Sequence, residues 1–248
     1  MVLPTVAFYG WTMNPTPAAV ARHPHRAEPM PVGWVRVDCH SHTMWSGDST
    51  TTPDEIEAAV IASGIDVLCI TDHNATKGAL ELAGRLPCRV IIGEELKTHH
   101  GEVIGLFLTE RIPFGLHPVE ATTRIREQGA IVYIPHPFDP MRNCLSEAAL
   151  FDLVDRGLVD AMEGFNGKTS LQSLNKRAMA YAQEKCLAVG AGSDAHVPDA
   201  LGAAYVEMPD FDGPASFLDA LRVAKVVGHH FDEPRRWTAR IVPSVSAG

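Results

Sequence analysis

The sequence predicts an α/β protein built as a barrel of about seven strand–helix units. Short apolar segments alternate with helical patterns from residue 34 onward, which is typical of a parallel sheet covered by helices. That number of units favours a closed or nearly closed barrel. An open doubly wound sheet is the alternative, but no GxGxxG or GxxxxGK[ST] motif follows a predicted strand. With 46% hydrophobic residues in a chain of 248, a sizeable core is expected.

Composition and charge exclude several classes of protein. The net charge of −9 disfavours a module that binds duplex nucleic acid. No run approaches the roughly 20 apolar residues of a membrane span, and the N-terminus lacks the features of a secretory signal. Five scattered cysteines without a CxxC pair indicate reduced thiols and a cytoplasmic protein. Residues 1–33 form a proline-rich arm, which we expect to be irregular, and residues 34–248 form the single domain.

Local signals place the elements in order. Thr52 followed by Pro53, Asp54 and Glu55 is a helix start, and Gly64 ends that helix. The segment 66–71 is apolar throughout, as expected for a strand buried on both faces. The other predicted helices span residues 77–86, 119–128, 146–156, 171–185 and 214–224. The other predicted strands span residues 34–39, 89–92, 103–108, 130–134, 159–162, 187–190 and 203–206.

Ionisable side chains cluster where the predicted strands end. In a barrel these ends meet on one face, so we expect the side chains to converge there. Glu94 and Glu95 follow the third strand, and Glu102 comes shortly after. The other segments are Asp38-Cys39-His40-Ser41-His42 with Asp48, Thr71-Asp72-His73, Pro135-His136-Pro137 and Gly192-Ser193-Asp194-Ala195-His196.

These residue types point to metal binding. Imidazole nitrogens and carboxylate oxygens are ligands of Zn²⁺, Mn²⁺ and Fe²⁺. His40 and His42 lie two residues apart at a strand end, so both face the same side. Burying so many ionisable groups without ions would be costly. The number of ligands exceeds the needs of one ion and indicates two or three, an arrangement that suits phosphate-ester hydrolysis.

The four motifs resemble those of the PHP family, named for polymerase and histidinol phosphatase. Residues 38–43, 71–73, 135–137 and 192–196 correspond to its motifs in the family's order, and the resemblance extends over residues 35–207. It implies a distorted TIM-like (β/α)7 barrel with up to three metal ions at the C-terminal ends of the strands. It also implies hydrolysis of phosphomonoesters, or in some members of phosphodiesters or nucleic-acid ends.

The resemblance further implies a ligand set. Glu95 fits the family's Gly-x-Glu-apolar pattern better than Glu94 does. Glu102 stands where the family often has a histidine. We expect Glu102 to complete the third site, with His100 or a binuclear centre as the alternatives. The expected ligands are His40, His42, Glu95 and Asp194 for the first ion, Asp48, His73 and His196 for the second, and Glu95, His136 and Glu102 for the third.

Four other residues are expected to take part in the reaction. Asp38 and Asp72 stand beside ligand histidines and are expected to orient them as hydrogen-bond acceptors. Arg142 and Lys168 follow strand ends and are expected to bind the phosphate, with plain surface charge as the alternative. Glu163 and Asn166 resemble a family segment that lines the pocket, where they would be supporting polar groups.

The function expected from these observations is hydrolysis of a small phosphate monoester, such as a nucleotide, a sugar phosphate or a compound like histidinol phosphate. The nucleophile would be a hydroxide that bridges two metal ions. The cofactors would be two or three divalent ions of manganese, zinc or iron. The alternatives are a phosphodiesterase or exonuclease, an amidohydrolase-like metal hydrolase, and a non-catalytic metal-binding module. No lysine is suitably placed for a bridging carbamate, and nearly all ligands are present, which disfavours the last two.

Overall fold

A computed structural model describes residues 30–231. The predicted arm lies outside the described residues apart from 30–33, and so do residues 232–248. The strands are β1 (Trp34–Ser41), β2 (Val67–Ile70), β3 (Arg89–Thr98), β4 (Gly101–Leu106), β5 (Ile131–Ile134), β6 (Ala161–Asn166), β7 (Ala188–Gly192), β8 (Ala204–Pro209) and β9 (Lys225–Gly228). The α-helices are α1 (Pro53–Ser63), α2 (Lys77–Leu82), α3 (Pro118–Glu127), α4 (Glu147–Asp155), α5 (Gln172–Glu184) and α6 (Pro214–Leu221).

The nine strands form one nearly closed barrel, which confirms the predicted fold. Their order in the sheet is β7-β6-β5-β4-β3-β2-β1-β8-β9. The chain after β7 bonds to the end of β1: the Asp194 N–H donates to the His40 carbonyl at 2.8 Å, and the His42 N–H donates to the Ala195 carbonyl at 3.0 Å. These bonds bring the first and last motifs together at the C-terminal ends of the strands.

The sheet is mixed, so the expectation of a parallel sheet is wrong for two strands. β4 is antiparallel to β3 and β5, and β8 is antiparallel to β1 and β9. Only His99 and His100 separate β3 from β4. A connection this short permits a hairpin, whereas a parallel crossover needs a dozen or more residues. β9 was not among the predicted strands.

The central strands are buried on both faces. In β2, Val67 and Cys69 belong to one apolar cluster, while Leu68 and Ile70 pack with α1 and α2 in another. The strands β4, β5 and β6 pack in the same way against α3, α4 and α5. Because successive side chains point to opposite faces, strands covered on both sides have continuous apolar sequences.

Helix α1 begins after Thr52, the predicted cap, which forms a capping box with Glu55. The Thr52 hydroxyl accepts from the Glu55 N–H at 3.4 Å, and the Glu55 carboxylate accepts from the Thr52 N–H at 2.8 Å. Gly64 ends the helix with a φ of 70°, in the left-handed region that glycine adopts without strain. Among residues 30–231, no helix is long and apolar enough to cross a bilayer.

Candidate metal centre

All nine side chains predicted as metal ligands lie together at the C-terminal end of the barrel. Most of them belong to the C-terminal ends of parallel strands, which meet on one face of a barrel. Glu102 reaches the same face from the start of the antiparallel β4. Eight are buried or half-buried, and Asp48 is the exposed one. The structure places them in four overlapping groups, each with its ligand atoms within 4.8 Å of one another: His42, Asp48, His73 and His196; His40, His42 and Asp194; His40, Glu95 and His136; and His73, Glu95 and Glu102.

The end of β1 supplies the first group. The Nε2 atoms of His40 and His42 lie 3.0 Å apart. Oε2 of Glu95 is 3.3 Å from the first of these nitrogens and 3.2 Å from the second. Oδ1 of Asp194 is 3.4 Å from His42 Nε2 and 3.7 Å from His40 Nε2. These four residues are the set expected for the first ion.

The second group lies at the solvent side of the first. Oδ2 of Asp48 is 3.2 Å from His73 Nε2 and 3.1 Å from His196 Nε2. The ring of His42 packs against that of His196 with 4.2 Å between their centroids. The second group therefore adjoins the first through His42.

The third group is built around Glu95. Its Oε1 lies 3.0 Å from His136 Nε2, and Glu102 Oε2 is 3.8 Å from the same nitrogen. The other Glu102 oxygen is 3.6 Å from His73 Nδ1. His100 is exposed, and its ring packs against His117 outside this group. Of the two residues considered for this position, the structure brings only Glu102 into the centre.

Divalent ions fit this donor set. The Nε2 atoms of His40 and His42 face each other at 3.0 Å. Nδ1 of His73 is buried without a hydrogen-bond partner although it faces Glu95 and Glu102. Buried polar atoms are normally paired, so an unpaired nitrogen among carboxylate oxygens is what a cation site requires. Nitrogen and oxygen donors of this kind suit Zn²⁺, Mn²⁺ or Fe²⁺.

Two carboxylates of the centre stay ionised although they are buried. Burial opposes ionisation of Glu95, but the neighbouring histidines, above all His40, hold its pKa well below the usual range. Asp194 is likewise buried, and Lys168 and Arg142 hold its pKa well below the ordinary value. Burial and the nearby Glu95 raise the pKa of Glu102 to about 7. Two ionised carboxylates at the core of the centre would attract cations.

The histidines of the centre titrate differently. Burial and the adjacent His196 lower the pKa of His42 to about 4, so its ring is neutral at pH 7. Burial also disfavours the charged form of His73, but the carboxylates of Asp48, Glu95 and Glu102 outweigh it and raise the pKa to about 9. Without metal, the His73 ring therefore keeps a proton that a metal ion must displace.

Two of the predicted ligands have unusual backbone conformations. His136 has a φ of 27° and Asp194 a φ of 52°. Positive φ values cost L-residues energy, on the order of 1–3 kcal/mol, and cluster at functional sites. The Asp194 N–H donates to the His40 carbonyl, and the His136 N–H donates to Glu163, so hydrogen bonds hold both residues in place.

Asp38 and Asp72 differ from the expectation that they orient histidine rings. Asp38 accepts hydrogen bonds from the backbone N–H groups of His40, Ser193 and Gly202. Asp72 accepts from the N–H and the hydroxyl of Thr43. Both aspartates thus hold the backbone around the motifs, and their pKa values are raised to about 6 by burial. We assign them as positioning residues.

Arg142 and Lys168 lie at the edge of the centre. Nη2 of Arg142 is 3.5 Å from Asp194 Oδ2 and donates to the Lys168 carbonyl at 3.1 Å. Nζ of Lys168 is 2.8 Å from His196 Nδ1 and 3.9 Å from Asp194 Oδ1. Their proximity to the ligands is what a phosphate-binding role requires.

Sequence reasoning missed several residues of the site. The Ser46 hydroxyl accepts a hydrogen bond from the His73 N–H at 3.1 Å and lies 2.9 Å from His42 Nδ1, so it connects two predicted ligands. Lys97, Met141 and Asn143 line a cleft of about 190 Å³ over the centre. Serine in a loop carries no distinctive sequence signal, and the cleft residues come together only in the folded chain.

Comparison with known proteins identifies relatives in sequence. A family model described as PHP-associated matches residues 172–226. An uncharacterised protein of Methanocaldococcus jannaschii is 36% identical over 200 residues, which make up 76% of this chain and 80% of that protein. This relative extends over most of the barrel.

Solved structures with the same fold include proteins of three bacteria. A two-domain protein of Bacteroides vulgatus, named as containing a predicted PHP-like metal-dependent phosphoesterase, has a TM-score of 0.62 and 19% identity, covering 81% of this chain and 67% of its own. A proposed metal-dependent phosphoesterase of Bifidobacterium adolescentis has a TM-score of 0.54 and 17% identity, covering 66% of this chain and 88% of its own. An amidohydrolase of Chromobacterium violaceum has a TM-score of 0.57 and 15% identity, covering 77% of this chain and 97% of its own.

At such identities these structures show a shared fold. The match to the PHP-associated model and the barrel shared with PHP-like proteins agree with the order of the four motifs along the chain. On these grounds the chain is a member of the PHP family.

Proposed function

We propose that this protein hydrolyses a small phosphate monoester with the help of two or three divalent metal ions. The observation that carries the proposal is the set of overlapping ligand groups at the floor of an open cleft, with two basic side chains beside them. Adjacent metal ions flanked by basic groups suit a reaction that builds up negative charge on phosphoryl oxygens.

The ligand groups suggest how the ions would be held. His40, His42, Glu95 and Asp194 would bind one ion. Asp48, His73 and His196 would bind a second, and Glu95, His136 and Glu102 a third. When bound, such ions lower the pKa of water and neutralise charge on the phosphoryl oxygens. Glu95 belongs to two of the groups, so its carboxylate would keep neighbouring ions at a fixed separation.

Arg142 and Lys168 would orient the substrate. Each lies within 4 Å of Asp194, on the same side of the centre. Guanidinium and ammonium groups form strong charge-assisted hydrogen bonds with phosphate oxygens. We propose that they bind the oxygens that do not contact metal, which fixes phosphorus over the centre.

The cleft favours a compact substrate. Its volume of about 190 Å³ lies below the range of roughly 300–1,000 Å³ typical of pockets for drug-sized ligands. The phosphoryl group and a short organic part would fill it, and the rest of a larger substrate would extend into solvent. The net charge of −9 is also more compatible with a small anion than with a nucleic-acid polymer.

The test is phosphate release from an aryl phosphate, from its diester analogue and from a panel of nucleotides and sugar phosphates, all with Mn²⁺ present. We expect turnover of monoesters by the wild type and its loss in His40→Ala. Turnover of the diester alone would indicate a phosphodiesterase instead. Bound metal without turnover of any phosphate ester would contradict the proposal.

A further inference from the structure

Glu163 on β6 lies between the metal-ligand groups although it belongs to none of them. Its side chain is buried, with 1% of the residue exposed. Oε1 lies 3.1 Å from His40 Nδ1, and Oε2 accepts from the His136 N–H at 2.6 Å. Asn166 donates its amide to Oε2 at 3.0 Å. One carboxylate thus contacts two expected ligands, one at the end of β1 and the other just after β5.

For the neutral His40 ring that would bind metal, these contacts determine which nitrogen carries the proton. A neutral imidazole has one N–H donor and one acceptor nitrogen. A carboxylate beside Nδ1 favours the tautomer with the proton on Nδ1, which leaves the Nε2 lone pair free. That Nε2 lies 3.3 Å from Glu95 Oε2 and 3.7 Å from Asp194 Oδ1, so it faces the centre.

Oε2 of Glu163 accepts hydrogen bonds from two groups that can only act as donors toward it. The His136 N–H is a backbone donor. The orientation of the Asn166 amide follows from another backbone donor, because the Lys168 N–H donates to Asn166 Oδ1 at 2.8 Å. The NH₂ group must then face Glu163 and Asp194, whose Oδ2 is 3.3 Å away. Oε2 therefore only accepts hydrogen bonds from these two donors, and Oε1 is the oxygen that contacts His40.

We propose that Glu163 is a positioning residue that fixes the metal-binding tautomer of His40 and, through the His136 backbone, ties together ligands of two neighbouring ions. The inference rests on the metal-ligand role of His40 given under the proposed function. It extends that role to a residue that does not itself touch the ions.

The isosteric variant Glu163→Gln tests this directly. The glutamine carbonyl must face the His136 N–H and the Asn166 amide, so its NH₂ group must face His40 Nδ1. Nδ1 then becomes an acceptor, and the ring proton moves to Nε2, where it blocks metal binding. Shape and volume hardly change, which separates the tautomer effect from packing.

The experiment uses Zn²⁺, which is diamagnetic and suits nuclear magnetic resonance of ¹⁵N-histidine. In the zinc-loaded wild type we expect the His40 ring, assigned by its loss in His40→Ala, to carry its proton on Nδ1. Competition with a chelator should show that Glu163→Gln binds its tightest Zn²⁺ 10–100-fold more weakly than the wild type. The matched control is Glu94→Gln, a buried glutamate on β3 that accepts the Ile112 N–H on the other side of the strand. We expect it to bind Zn²⁺ within twofold of the wild type.

Two results would overturn the inference: a proton on His40 Nε2 in the zinc-loaded wild type, or a zinc affinity of Glu163→Gln equal to that of Glu94→Gln. If Glu163→Gln does not fold, the tautomer in the wild type decides alone. Neither readout involves phosphate release, so the phosphoesterase proposal and this inference can fail separately.

Discussion

At the scale of single residues, Glu95 makes the most contacts within the centre. Its Oε2 lies within 3.3 Å of ring nitrogens of His40, His42 and His73, and its Oε1 is 3.0 Å from His136 Nε2. Glu94 precedes it in the same strand and points to the opposite face, where it accepts the Ile112 N–H. The alternation of side chains along a strand therefore gives two adjacent buried glutamates different roles.

This contrast predicts the behaviour of two matched variants. Glu95→Gln should bind at least one metal ion fewer than the wild type and lose phosphate release by about 100-fold or more, because a neutral amide is a poor ligand for adjacent cations. Glu94→Gln should bind as many metal ions and release phosphate as fast as the wild type. Elemental analysis and a phosphate assay check this, and equal losses in the two variants would contradict it.

Arg142 carries a second prediction at this scale. Replacing it with glutamine removes a charge-assisted hydrogen bond worth about 1.5–3 kcal/mol, so KM for a monoester should rise by about 10-fold or more. The metal content should stay that of the wild type, because no ligand is removed. Steady-state kinetics with elemental analysis test this. An unchanged KM would assign Arg142 to a purely structural role.

At the scale of elements, the junction of β1 and β7 holds the centre together. A Cβ added at Gly192 would lie 2.3 Å from the His40 Cβ and 2.5 Å from a Glu163 oxygen. Both distances are far below van der Waals contact, so the strands would have to separate. The glycine of the fourth motif is therefore explained by close packing against the first motif.

We predict that Gly192→Ala lowers both the free energy of unfolding, by about 1–3 kcal/mol or more, and the affinity for Zn²⁺. Thr52→Ala is the comparison, since losing the cap of α1 should cost about 1 kcal/mol at a site away from the ligands. Denaturant unfolding and chelator competition give the two quantities. If both variants lost zinc affinity to the same extent, general destabilisation would explain the effect. The claim that the β1–β7 junction holds the centre together would then be wrong.

Much of this element-level description could be predicted from sequence, for local reasons. Caps such as Thr52 and Gly64 act within a few residues, and the ligand motifs stand directly after apolar strands. Strand direction was not predictable for β4, because an apolar segment looks the same in either direction. The contacts of Asp38 with Ser193 and Gly202 span more than 150 residues of chain, so they became visible only once β1 and β7 were adjacent.

At the scale of the whole molecule, the centre gathers carboxylates and histidines that metal ions would bind together. Ions that bind the folded chain but not the unfolded chain stabilise the fold, by about 2.7 kcal/mol at a concentration 100 times Kd. We therefore expect Zn²⁺ or Mn²⁺ to raise the melting temperature and a chelator to reverse the increase. An unchanged melting temperature with metal bound would contradict a role of the centre in stability.

The size of this stabilisation should depend on pH. In the metal-free protein, the raised pKa of His73 stabilises the fold below the ordinary value of about 6.5, and this contribution is lost as pH rises through about 9. Over the same range the proton that a metal ion must displace becomes easier to remove. The increase in melting temperature caused by Zn²⁺ should thus be larger at pH 8.5 than at pH 6.5. The opposite order would show that His73 is not a ligand.

The central claim is that these clustered side chains bind metal ions that are required for phosphate-ester hydrolysis. The most direct measurement is to titrate Mn²⁺ into metal-free protein while recording bound metal and phosphate release from an aryl phosphate in the same samples. We predict two or three ions bound per chain, with turnover appearing only as the ions bind. Full activity before any metal binds, or saturated sites with no release of phosphate, would contradict the claim.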